Sequence, residues 1–81
     1  MKKHEAELKS ILATVFDIDP ERIDDSSSPD NIKEWDSLKH MMLVLALEEN
    51  FSITLTDEQA VQIISYPLIK NILLEHNIEI V

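Results

Sequence analysis

Glycine and cysteine are both absent from this chain of 81 residues. Without cysteine there is no disulfide framework and no Cys-ligated zinc or iron-sulfur site. Any thiol chemistry has to arrive on a prosthetic group. Without glycine, P-loops and dinucleotide fingerprints are excluded, because both need it where the backbone closes on a phosphate. No run of 18 or more apolar residues exists to span a bilayer. MKKHEAELKS begins with positive charge, but the acidic residues that follow do not suit an export signal. The expectation is a cytoplasmic protein with no stable membrane association. Basic charge is scarce: 7 Lys and Arg stand against 16 Asp and Glu, a net charge of -9. Nucleic acid and anionic membranes repel such a chain, so the expected partners are proteins with basic patches. The length suits one small domain over residues 1–81, acting as a monomer, which buries about 60% of its unfolded surface. A cleft between two domains is excluded.

What is present reads as helix. Leu8, Ile11, Leu12, Val15 and Phe16 repeat at helical spacing over residues 3–16. Pro20 pushes the residue before it out of the α region, which ends that helix. Residues 17–34, DIDPERIDDSSSPDNIKE, form a long polar connection in which Ile18, Ile23 and Ile32 are spaced as anchors. Loops this long inside compact domains are often functional. A second helix is expected over 37–50, surrounded by the others on most sides, with Leu38, Met41, Met42, Leu45, Ala46 and Phe51 supplying one apolar face. Leu43, Val44 and Leu47 widen the apolar arc. Phe51 to Leu55 reads as an extended connection. Thr56 to Gln59 fits a capping box for a short third helix. Pro67 suits the first turn of a last helix that buries Leu68, Ile69, Ile72 and Leu73. The tail, 78–81, is short and apolar. The fold class is all-α: three main helices, one short helix, and a long loop between helices one and two.

The chemistry concentrates at Glu34-Trp35-Asp36-Ser37-Leu38-Lys39-His40. Asp36 or Ser37 suits a helix cap. A hydrolytic serine needs a base and an orienting group, and only His40 lies within one turn, with no glycine elbow. His4, His40 and His76 show no zinc-like spacing and read as surface histidines. The acidic loop lacks the glycine of an EF-hand and is interrupted by Pro20. A third role is attachment: a phosphate on Ser37 would face free backbone N–H groups at the positive end of a helix.

Asp36-Ser37-Leu38, followed by LVLALEENFSITLTDEQ, resembles the acyl carrier proteins, from the FDIDPERI segment to the last helix. The spacing from Ser37 to Leu47-Glu48-Glu49-x-Phe51 and the proline-marked long loop carry the same resemblance. It implies a small acidic helical bundle that is not an enzyme. In such proteins the serine carries a covalent 4'-phosphopantetheine arm, drawn from coenzyme A by a phosphopantetheinyl transferase with Mg²⁺. Acyl groups ride on its thiol as thioesters. The implied partners are that transferase and acyl-activating, acyl-transferring or condensing enzymes. Ser37 is then the attachment residue, flanked by Asp36 and Leu38. Lys39, Met42, Glu48 and Glu49 fall where partners dock. Glu48→Lys or Glu49→Lys is expected to slow partner encounters with little loss of stability. Met41, Leu47, Ile63 and Leu68 are candidate walls for cargo, or ordinary core.

The chain also departs from the family pattern. Glu34 stands where many members have glycine, and Lys39 and Met42 stand where housekeeping fatty-acid carriers place acids. Trp35-Asp36-Ser37-Leu38 resembles a subset of stand-alone carriers, which points to a specialised fatty-acid, polyketide or lipid-modifying pathway. An aminoacyl or peptidyl carrier is the alternative within the class. An unmodified helical interaction module is the alternative outside it.

Overall fold

The computed structural model describes residues 2–81, so Met1 of the expected 1–81 domain lies outside the described residues. Helix α1 spans Glu5–Phe16, with Glu5 and Glu7 in its first turn, where the helix dipole favours acids. Leu8, Ile11, Leu12, Val15 and Phe16 are buried, as their spacing predicts. The helix ends because Asp17 turns left-handed, with φ of 56°. The amides of Asp17 and Ile18 then close on the Ala13 carbonyl.

The long connection is ordered by its own polar groups. Asp19 caps a single 3-10 turn, Pro20–Arg22, through the Glu21 amide. Ile23 and Ile32 are buried and Ile18 packs against the core, so all three anchors hold. In the serine run only Ser27 is buried. Its hydroxyl accepts the Asp24 amide, and its carbonyl accepts the Tyr66 amide from across the fold. The Ser26 hydroxyl and amide both donate to Asp24, which holds that carboxyl below its usual range. Glu34 pairs with Arg22 at 3.6 Å and links the two halves of the loop.

Helix α2, Ser37–Phe51, buries Leu43, Leu47 and Phe51. This corrects the expected face. Leu38, Met41 and Leu45 are 67%, 65% and 63% exposed, and Met42 also faces outward. Two sets of residues at helical spacing compete on this helix. The one carrying Leu43, Leu47 and Phe51 faces the core, so the helix is covered on one side only. Ser52 ends it in the left-handed region, φ 55°, with its amide on the Glu48 carbonyl.

Of the connection expected over Phe51 to Leu55, Phe51 instead closes α2 and Ser52 caps it, and residues 53–56 have no strand partner among the described residues. Helix α3, Asp57–Gln62, opens with the expected Thr56/Gln59 capping box. Helix α4, Tyr66–Glu75, is capped by Ser65 and carries proline in its first turn. Its buried face is Tyr66, Ile69, Ile72 and Leu73. Leu68, expected there, is exposed, and Tyr66 takes its place in the core. The Tyr66 hydroxyl is buried without a hydrogen-bond partner among the described residues, and burial pushes its pKa up. The tail does more than the sequence suggests. Strand β2, Glu79–Ile80, pairs in parallel with strand β1, Lys2–Lys3, in register Lys2 to Glu79. Among the described residues, four α-helices with this two-residue clasp make the small helical bundle that the patterning predicts.

Candidate functional site

The site is built on the start of α2. Asp36 is the cap: its Oδ1 accepts the Lys39 amide at 2.8 Å. Asp36 thus takes the capping role and leaves Ser37 as the first helical residue. Ser37 is exposed, and its hydroxyl has no partner among the described residues. The first main-chain bond of the helix runs from the His40 amide to the Asp36 carbonyl. Of the amides ahead of it, only that of Lys39 is capped, so those of Ser37 and Leu38 stay open at the positive end of the helix. Leu38 points outward beside them.

Ser37 opens onto a groove of about 630 Å³. Trp35, His40 and Met41 form one side, and Val61 and Ile64, at the end of α3, form the other. Trp35 is buried and lies on the Phe16 ring, with centroids 4.8 Å apart. Its indole N–H donates to His40 Nδ1 at 3.1 Å, and His40 Nε2 sits 2.7 Å from the Ala60 carbonyl oxygen. Both ring nitrogens of His40 are therefore engaged, neither by Ser37, and no base is aimed at the serine hydroxyl. Sequence reading placed His40 on the surface. Its i+5 spacing from Trp35 was the available signal for this link.

The other expected residues are scattered. Lys39 is half-buried, while Met42 and Glu49 are exposed on the outer side of α2. Glu48 is tied into the fold: its Oε2 accepts the Leu55 amide at 2.8 Å. Of the four candidate cargo walls, Met41 lines the Ser37 groove. Leu68 lines a second groove of about 370 Å³ that shares Val61 and Ile64 with the first. Leu47 and Ile63 are fully buried in the core. Both carry apolar side chains at helical spacing, which does not separate a cargo wall from ordinary packing. His4 precedes α1, and His76 meets Gln59 Oε1 at 3.0 Å. Among the described residues no group of three His, Cys, Asp or Glu is placed to hold a metal ion. No described helix is long and apolar enough to cross a membrane.

Residues 6–66 match the family described as the phosphopantetheine attachment site. That span covers most of the chain, including the loop, the Asp36-Ser37-Leu38 turn and α3. No curated protein matches the chain. The chain belongs to the phosphopantetheine attachment family: it is a non-catalytic carrier domain that holds 4'-phosphopantetheine covalently.

Proposed function

We propose that Ser37 is the attachment residue and that residues 1–81 form one cytoplasmic acyl carrier serving a dedicated fatty-acid, polyketide or lipid-modifying route. The observation that carries this reading is the Ser37 turn itself. The hydroxyl is exposed and unpartnered, on the first residue of a long helix, with two open amides beside it. A phosphodiester there meets N–H donors and the positive helix end, so these residues fit the group. Asp36 keeps its carboxylate on the Lys39 amide, which fixes the turn that presents the serine. When bound, the arm supplies a thiol that holds the cargo as a thioester.

The rest of the chain positions that arm and meets its partners. Leu38, Met41, Met42 and Leu45 form an exposed apolar strip on α2, with Lys39 among them and Glu49 further along. Exposed apolar patches of this kind mark contact surfaces. We read the strip as the docking face. Its partners then present an apolar centre more than a purely basic one, which separates this carrier from those that dock through acids. The two joined grooves, walled by Met41, Val61, Ile64 and Leu68, give a cargo path along the outside of α3. Tethering raises the effective concentration of cargo at each partner.

The test is the intact mass after incubation with a broad-specificity phosphopantetheinyl transferase, coenzyme A and Mg²⁺. Wild type gains one phosphopantetheine group, and Ser37→Ala gains none while keeping the same helical circular dichroism. A gain in Ser37→Ala would overturn the assignment. No gain in either protein, with a control carrier loading, would point to an unmodified helical module.

A further inference from the structure

The strongest unassigned feature is the link Trp35–His40–Ala60. Each outer partner has a single role. An indole N–H only donates, and a main-chain carbonyl only accepts. His40 must therefore be neutral, with a lone pair on Nδ1 and its proton on Nε2. Nothing else satisfies both contacts, since a protonated Nδ1 would set one N–H against another.

The link joins three elements around the serine. Trp35 lies two residues before Ser37 and is seated on Phe16 of α1. His40 lies one turn after Ser37 on α2. Ala60 belongs to α3, a six-residue helix too short to hold its place by itself. Within that region Ile63 is the buried anchor, while the flanking Val61 and Ile64 are exposed and wall the groove. The spacing between those residues and Met41 on α2 is bridged by the 2.7 Å contact from His40 to Ala60.

We propose that His40 is a positioning residue for the prosthetic arm. As the Nε2–H tautomer it ties α3 to the turn that carries Ser37 and holds Trp35 beneath that turn, so the groove keeps its width for the arm. This rests on the reading of Ser37 as the attachment residue. His40 acts through Trp35 and Ala60 and takes no part in bond making.

The two contacts can be cut separately. His40→Asn puts an amide oxygen near the Nδ1 position and keeps an acceptor for Trp35. His40→Gln puts an amide N–H near the Nε2 position and keeps a donor for Ala60. His40→Ala removes both. Wild type and the three variants are first compared in the apo form by ¹⁵N NMR. The imidazole nitrogens should show the Nε2–H tautomer. The indole N–H of Trp35, the only tryptophan, should exchange with solvent about as slowly in His40→Asn as in wild type. It should exchange roughly fivefold faster in His40→Gln and His40→Ala, as loss of one ordinary hydrogen bond requires. The same proteins are then loaded with the transferase and coenzyme A. Loading should shift the methyl signals of Met41, Val61 and Ile64 in wild type. Those shifts should fall by about half or more in His40→Ala, where a hydrogen bond to each wall is lost, and recover in part in His40→Gln.

An Nδ1–H tautomer, or indole exchange that ignores all three substitutions, would overturn the proposal. So would loaded His40→Ala with the methyl shifts of wild type, because the link would then be structural and without bearing on the arm. A wild-type protein that gains no mass overturns the Ser37 reading first and this one with it, so the two failures are told apart.

Discussion

Glu48 and Glu49 are neighbours with different duties. One oxygen of Glu48 receives the Leu55 amide, which secures the chain as it leaves α2. Glu49 is exposed and carries no such bond. The structure corrects the expectation of a low-cost charge reversal for Glu48, whose carboxylate is bonded into the fold. Glu48→Lys removes an acceptor from a partly buried amide, and about 1–2 kcal/mol of stability should go with it. Glu49→Lys should change stability by less than about 0.5 kcal/mol. Urea unfolding of both variants checks this, and equal midpoints would contradict it. At this scale Asp36 and Ser37 were legible together, because helix capping and attachment chemistry both select short polar residues. Which of the two does the capping was not legible, since either type serves.

Helix α2 shows where pattern reading runs out. Its start and end follow from Asp36 and from the polar stretch after Leu47. Its facing does not, because Leu, Met, Val and Ala occupy nearly the whole circumference of its middle. The inward set was decided by packing against the other helices, which a single sequence does not display. A pair of substitutions tests the outcome. Leu43→Ala deletes a fully buried side chain and should cost about 2–4 kcal/mol. Leu45→Ala removes a side chain that is 63% exposed and should cost less than about 0.5 kcal/mol. Similar losses in the two variants would mean that the helix is rotated. The helix end carries its own test. With no glycine in the chain, the left-handed positions fall to Asp17, Ser52 and Asn77. A non-glycine residue there costs about 1 kcal/mol or more, less where its side chain bonds locally. Ser52→Gly should therefore raise the unfolding free energy by about 0.5–1 kcal/mol, read as a shift in urea midpoint. A fall would show that the serine side chain contributes more than its backbone costs.

Over the whole molecule charge is the dominant imbalance. The six ion pairs among the described residues are mostly solvent-exposed, and such pairs are worth about 1 kcal/mol or less each. Against them stands self-repulsion within a net charge of -9, spread over a globule with a radius of gyration of 11.4 Å. At about 0.01 M salt the Debye length of roughly 30 Å exceeds that radius, and at 0.15 M it drops to about 8 Å. Raising salt between these limits should raise the melting temperature, because relief of repulsion outweighs the screening of weak pairs. A fall in the melting temperature would reverse that ranking. The all-α class was legible from helical spacing and caps. The β1–β2 clasp was not, because two-residue strands carry no alternation to read, and their pairing joins residues 2–3 to 79–80.

The central claim is that one particular serine, among seven in the chain, carries the arm. The most direct measurement is fragment-ion mass spectrometry of the loaded protein, mapping the phosphopantetheine group to a residue. The group should map to Ser37, within the segment Glu34 to Lys39, and to no other position. A map to the Ser26–Ser28 run, to Ser10, Ser52 or Ser65, or to a residue that is not serine would contradict the account. The groove, His40 and the exposed strip of α2 would then lose the site that gives them their meaning.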